Sequence, residues 1–455
     1  MLFRQVVSEG LSHYSYLIAS GTEAAVIDPR RDCNIYLQIA HNNGLSIRHI
    51  FETHRNEDYV TGSTVLKDLC GAEIWHGRQM DFAFGKPVQE GDRFTLGTLE
   101  IQVLETPGHT EESISLVVRD LAVSPDPFMV FCGDTLFAGE IGRTDFYGPA
   151  RNGEMAGKIF DSISTKILAL GDGVIICPAH GPGSICGGAI AEHPFTTAGY
   201  ERLSNPRLKM GRDAFIAHRV TESPYTPHYF RRMETWNRNG PPRAPAGCYP
   251  RPLPVGAFET ALREGCQVVD IRSPTSFAGG HIKGSISLWR RGISGFAGFV
   301  LDYEKPLALV DDFNTGIDEV ARQFSRMGFD SIAGILSGGF GSWASAGKEI
   351  TMLPSCTAPQ LAERLKREPV FLLDVRHGET WRSSGHIPGA HHIYAGEVLQ
   401  HLDEIPKDRP VITYCDAGFK GSLAASLLSR NGYNNVTNLL GGMAAWTQAG
   451  FETVP

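Results

Sequence analysis

The chain has 455 residues, 42% of them hydrophobic and 20% charged, with a net charge of −8. That is too long for one ordinary core and has the composition of a globular protein, so two to four domains are expected. No dominant basic field points to nucleic acid or an anionic membrane, and no apolar run is long enough to span a bilayer.

The start, "MLFRQVVSEGLSHYSYLIAS", alternates like a strand and carries Glu9 and His13. It lacks the basic head and apolar core of a signal peptide, which predicts a cytoplasmic chain. Short β-like runs then follow to about 195: "AAVIDP", "IRHIFETH", "LEIQVLETPGH", "ISLVVRD", "FMVFCGDTLF" and "GVIICPAHG", with helical pieces at 62–70 and 154–170. This mixture predicts an α/β layer fold with two sheets. Several runs end in a polar cluster, where a rigid sheet holds loop residues in place. The stretch "GPPRAPAGCYPRPLP", 240–254, reads as an extended linker and a domain boundary. Beyond it the chain repeats itself. "VVDIRSPTSFAGGHIKGSISL" is answered by "LLDVRHGETWRSSGHIPGAHHI", and "LSGGFGSW" by "LLGGMAAW". Asp270 and Asp374 are 104 residues apart, a spacing that means a whole small parallel α/β domain is duplicated. The domains are therefore expected at 1–245, 255–350 and 355–455. Nine cysteines are scattered without a C-x-x-C pair, which argues against a disulfide scaffold and a structural zinc site.

Four polar clusters stand out in the first domain: His54-Arg55-Asn56-Glu57-Asp58-Tyr59, "TPGHTEES" with His109, "FCGDTLF" with Asp134, and "PAHGPG" with His180. In their order and context the chain resembles the metallo-β-lactamase superfamily, which implies an αββα sandwich. The family's loop reads H-x-H-x-D-H and usually feeds two metals. Here Asn56 and Tyr59 stand where two of its histidines belong, and neutral Asn is a poor zinc ligand. His54, His109 and Asp134 remain. Two imidazoles and a carboxylate form a facial triad with open positions, the ligand set of non-haem Fe(II) oxygenases. Within the superfamily this reduced set resembles the persulfide dioxygenases, as does "GRTDF", 142–146. The resemblance implies one Fe(II) in the N-terminal domain. Asp58 and His180 are expected to orient ligands or water behind the metal. Tyr59 either fills the space of the lost metal or meets substrate. Arg143 is expected either to pair with a substrate carboxylate or to form a structural ion pair.

In the last domain "VITYCDAGFKGSLAASLLSR" puts Cys415 at a strand end directly before a helix. The loop C-x-x-G-x-K turns backbone N–H groups inward, and the helix N-terminus adds partial positive charge; both favour a thiolate, and Lys420 adds a full charge. With "DVR", "GHIPGA" and "LLGGMAAW" in order, 355–455 resembles rhodanese, a sulfurtransferase. That implies Cys415 as nucleophile and Lys420 as its electrostatic helper. The first copy has Asp311 where Cys415 would fall, so it is expected to be catalytically silent, a packing or docking scaffold. Cys70, Cys132, Cys177, Cys186, Cys248, Cys266 and Cys356 show no activating motif.

The resemblances together imply a persulfide dioxygenase fused to a silent and an active rhodanese domain. Its substrates would be a low-molecular-weight persulfide, by default glutathione persulfide, and O2. Its products would be sulfite and thiol, with Cys415 forming or using thiosulfate. Coenzyme A persulfide and a homo-oligomer are left open. The competing readings are a zinc-dependent thioester hydrolase of glyoxalase II type and a sulfur carrier that needs only Cys415.

Overall fold

The computed structural model describes residues 1–184, 187, 189–193, 195–222, 224–243 and 249–455. The chain divides into two units, Met1–Pro245 with Ser325–Met327, and Ala246–Phe324 with Gly328–Pro455. Among the described residues no helix is long and apolar enough to cross a membrane.

Two six-stranded sheets build the first unit. One takes Leu2–Ser8, His13–Ser20, Glu23–Ile27, Ser46–Glu52, Glu73–Gly77 and Lys86–Val88 in chain order, the first three antiparallel and the rest parallel. The other is ordered Thr196–Thr197, Ile175–Pro178, Met129–Gly133, Ile114–Asp120, Leu99–Glu105 and Arg93–Leu96. It is antiparallel except where Met129–Gly133 meets Ile175–Pro178.

Strand periodicity makes the layers, because successive side chains face opposite ways. Ile18, Ile27 and Phe51 of one sheet meet Ile101, Leu116 and Phe131 of the other. Their neighbours Leu17, Val26 and Ile50 turn outward onto Tyr36 and Leu66 of the helices Asn34–Asn42 and Ser63–Cys70. Val117 and Val130 turn outward on the other side, onto Ile159 and Phe215 of Pro149–Ser162 and Arg212–Thr221. Strands covered on both faces read as continuous apolar runs, and the result is an αββα sandwich. Each large aliphatic or aromatic side chain so buried contributes about 1.5–3 kcal/mol. The helix expected at 154–170 starts earlier, with Pro149 in its first turn, and is π-helical over Ile163–Ile167.

The second unit holds two five-stranded sheets, parallel throughout and ordered alike. One is Pro252–Leu253, Ile332–Leu336, Leu307–Val310, Gln267–Asp270 and Ile286–Ser287. The other is Ser355–Cys356, Val436–Leu439, Val411–Tyr414, Phe371–Asp374 and His391–His392. The expected linker needs a correction at its end. Pro252–Leu253 is an edge strand, where a residue without an N–H is tolerated; 244–248 lie outside the described residues. Within this unit the first copy packs on the helix Phe419–Arg430 of the second. The Ser287 N–H donates to Ser426 Oγ at 3.0 Å, the Ser287 and Ser422 hydroxyls are 2.9 Å apart, and the Trp289 ring lies 5.3 Å from that of Phe419.

Candidate metal centre and cysteine loop

Four strands end at one place. His54 follows Ser46–Glu52, His109 follows Leu99–Glu105, Asp134 follows Met129–Gly133 and His180 follows Ile175–Pro178. Gly133, at φ +53°, allows the approach, since a Cβ there would press on Thr53 and His54. His54, His109 and Asp134 are buried, and one ligand atom from each lies within 4.8 Å of the others. The Nε2 atoms of His54 and His109 are 3.7 Å and 3.5 Å from Asp134 Oδ2.

The far side of each ring fixes its tautomer. His109 Nδ1 is 2.9 Å from the Arg143 carbonyl, which can only accept, so Nδ1 carries the proton. Thr53 Oγ1 donates to Asp28 Oδ2 at 2.8 Å and so accepts from His54 Nδ1 at 2.9 Å. In the neutral rings both Nε2 atoms are then lone-pair donors. Both are buried without a hydrogen-bond partner, an arrangement costly to leave unfilled. Two aimed imidazoles and a carboxylate fit a divalent metal, and the carbonyl and hydroxyl behind them are the usual supports.

Burial pushes the His54 pKa down to about 4. Burial would lower His109 too, but Glu57 and Asp134 favour positive charge there and hold its pKa up. Burial would raise the Asp134 carboxyl, yet His180, His54 and His109 keep it well below the usual carboxylate range. His180 links two carboxylates, with Nδ1 2.7 Å from Asp134 Oδ1 and Nε2 3.0 Å from Asp58 Oδ2. Burial opposes its charge, but Asp134 and Asp58 raise its pKa well above the ordinary value. Tyr59 is fully buried, with its ring 4.0 Å from that of His13. The Asn56 amide donates to the His54 carbonyl at 3.4 Å, its side chain thus turned to the backbone.

Arg143 forms the ion pair that was one of its two expected roles. Its guanidinium grips Asp145 with two bonds of 2.8 Å and 2.7 Å and also donates to Thr226 Oγ1 and the Tyr225 carbonyl. This is the structural ion pair. A substrate carboxylate would have to displace Asp145 from a buried fork. Sequence reasoning passed over Glu57, which sits at a variable step of the motif. It is buried, with Oε1 3.2 Å from Arg55 Nη2 and Oε2 3.7 Å from His109 Nε2.

Cys415 stands just past Val411–Tyr414 and is buried. Its sulfur accepts the Gly418 N–H at 3.2 Å. Gly418 is left-handed at φ +90°, which turns that amide inward. Lys420 Nζ pairs with Asp416 at 2.8 Å. Of the other described thiols, burial pushes Cys132 up to about 12 and raises Cys33, Cys70, Cys177, Cys266 and Cys356, so none of these is activated. Cys186 and Cys248 lie outside the described residues.

The metallo-beta-lactamase superfamily model matches residues 9–180, and the rhodanese-like domain model matches 256–346 and 357–449. The hydroxyacylglutathione hydrolase GloC of Haemophilus influenzae is 31% identical over 207 residues, 41% of this chain and 87% of that one. The mitochondrial persulfide dioxygenase ETHE1 of Mus musculus is 30% identical over 229 residues, 48% of this chain and 79% of that one. A crystal structure of a metallo-beta-lactamase from Staphylococcus aureus is 31% identical. It covers 74% of this chain and 99% of its own, with a TM-score of 0.64. The chain belongs to the metallo-beta-lactamase superfamily, with persulfide dioxygenases among the relatives of its N-terminal half and two rhodanese-like domains behind it.

Proposed function

We propose that the chain oxidises low-molecular-weight persulfides, glutathione persulfide by default, with O2 at one Fe(II) per N-terminal domain, and that Cys415 then moves sulfane sulfur. The observation that carries this reading is the set His54, His109 and Asp134, without imidazole at 56 and 59. Bound there, Fe(II) would offer open positions at which a persulfide sulfur and O2 are brought together. The overall change balances as R–S–SH + O2 + H2O giving R–SH, sulfite and two protons. The chain's part is to aim the two Nε2 lone pairs through Thr53 and the Arg143 carbonyl and to hold the Asp134 carboxylate ionised through His180. Four strand ends keep the residues dry and fixed. At Cys415 the thiolate takes the outer sulfur of a second persulfide and releases R–SH. Sulfite removes that sulfur as thiosulfate, and the reverse direction uses the same atoms. The Gly418 amide faces the Cys415 sulfur.

The GloC relative, at 31% identity, favours a second reading, a zinc-dependent thioester hydrolase of glyoxalase II type with an accessory rhodanese domain. Oxygen uptake by iron-loaded protein given glutathione persulfide, beside a Cys415→Ser variant, decides between them. Uptake by both, with thiosulfate formed by the unmodified protein alone, is the expected result. No uptake, with zinc-dependent hydrolysis of a hydroxyacylglutathione instead, would overturn the proposal.

A further inference from the structure

We propose that the first copy of the duplicated domain binds the organic part of the persulfide that Cys415 attacks, in a cleft that the two copies share. This rests on the reading of Cys415 as the sulfur acceptor. The cleft has a volume of about 350 Å3 and is walled by Trp289, Arg290, Arg291 and Phe313 of the first copy and by Phe419 of the second. Phe419 opens the helix Phe419–Arg430 and directly follows Gly418, whose N–H faces the Cys415 sulfur at 3.2 Å. The cleft therefore begins one residue from the cradle that holds the transferred sulfur.

The parallel sheets fix this placement. Cys415 stands past the C-terminal end of Val411–Tyr414, and ligands of open parallel sheets gather beyond those ends. Trp289 lies just past the strand Ile286–Ser287 of the first copy, and its ring is 5.3 Å from that of Phe419. Two of the rings are left open to water: Phe313 is 83% exposed and Phe419 42% exposed, and both line the one cleft. Apolar rings kept open beside a reactive group offer a surface to the carbon skeleton of a substrate. The charges are sorted as well. Asp311 is held by Arg290 at 2.9 Å and by the Phe313 and Asn314 N–H groups, and Asp312 lies 3.4 Å from Arg272. Arg291 is exposed and, among the described residues, in no ion pair. It is the cation left for a carboxylate of the donor. Thiosulfate has no carbon skeleton and would use only the cradle and Lys420. The cleft thus sorts donors: it holds a carboxylate-bearing organic persulfide, such as glutathione persulfide, and gives thiosulfate no hold.

The test uses full-length protein under argon, so that the N-terminal centre consumes no donor. Two donors are compared: glutathione persulfide with sulfite as acceptor, and thiosulfate with cyanide as acceptor. Arg291→Ala and Phe313→Ala alter exposed side chains, and thermal melts check that each variant folds. Each is expected to raise KM for glutathione persulfide about fivefold, with kcat, and both constants for thiosulfate, within about twofold of the unmodified protein. Arg291→Lys should recover most of the loss at low salt, because the charge returns. A rise confined to glutathione persulfide in either variant supports the assignment. No rise in either, or equal losses with both donors, would overturn it; in the second case the cleft braces the loop and does not bind the donor. Cys415→Ser separates the two levels. If it still moves sulfur from either donor, the reading of Cys415 falls. If it is inactive while the Arg291 and Phe313 variants keep their KM, only the role of the cleft falls.

Discussion

Cys415 and Asp311 stand at the same step of two copies of one fold, each just past its strand, Val411–Tyr414 or Leu307–Val310. The loops around them are alike in backbone. Gly418 at φ +90° donates its N–H to Cys415 Sγ at 3.2 Å; Asn314 at φ +54° donates its N–H to Asp311 Oδ2 at 2.7 Å. Behind them Met443 N–H bonds the Cys415 carbonyl at 2.7 Å, and Phe340 N–H bonds the Asp311 carbonyl at 2.8 Å. The cradle favours negative charge in both copies. In the first copy a carboxylate fills it and is pinned by Arg290 at 2.9 Å. In the second a sulfur fills it, which can accept and give up another sulfur. The geometry is thus common property, and on the proposed reading the identity of one side chain separates a structural anion from a nucleophile.

The largest expected difference follows directly. Cys415→Ser should lower thiosulfate formation from persulfide and sulfite by about a thousandfold or more, since the oxygen carries no sulfane sulfur. Asp311→Ala should change that rate less than twofold. A deep loss in the Asp311 variant at unchanged melting temperature would break the comparison, because the silent copy would then take part in the chemistry.

A second pair of variants should show the copies equal. Asp374 holds Arg376 at 2.6 Å, and Asp270 holds Arg272 at 2.6 Å; all four are buried. Each arginine also donates to a carbonyl at 2.7 Å, of Gly385 or Gly280. Removing one carboxylate charge leaves Arg376 buried without its partner. It leaves Arg272 to Asp312, which is 3.4 Å away, more than a third exposed and so offsets little. Asp374→Asn and Asp270→Asn should therefore each cost about 3–5 kcal/mol. Denaturant unfolding of each variant measures this. A clear inequality would mean that the first copy has relaxed its scaffold as well as its loop.

The two halves of the chain were unequally legible. Strand periodicity and the 104-residue repeat carried the architecture, because Ile18 beside Leu17 and Leu116 beside Val117 mark strands with two dry faces. His54, His109 and Asp134 could be picked out because each ends an apolar run and stands where the resembled family places a metal ligand. What stayed hidden depended on contacts across the fold. "GRTDF" left two roles open for Arg143, because Thr226 and the Tyr225 carbonyl, which occupy its fork along with Asp145, lie some eighty positions on. Glu57 lay in plain view, yet its burial and its approach to Arg55 and His109 exist only in the fold. Pro252–Leu253 read as linker because two residues show no period; its strand character comes from pairing with Ile332–Leu336.

Lys420 should give the smallest effect and sharpen the comparison most finely. The matching step of the first copy's loop is Gly316, 104 residues earlier, so the second copy alone carries a cation at this step. The ammonium does not stand alone. It pairs with Asp416 at 2.8 Å, four positions back in the loop, and both groups are partly open to water. An exposed pair of this spacing is worth little, so Lys420→Met should shift stability by no more than about 0.5 kcal/mol. Its influence on chemistry is electrostatic. An anionic donor approaching Cys415 meets one positive charge partly offset by one negative charge. The variant should therefore lose about three- to tenfold in kcat/KM with thiosulfate at low salt, and much less at high salt, where the same field is screened. Lys420→Arg should restore most of the rate, since the charge returns even though the fork differs. If Lys420→Met loses rate equally at both salt concentrations, or Lys420→Arg fails to restore it, the side chain acts by contact, and the difference between the loops lies in shape as well as charge.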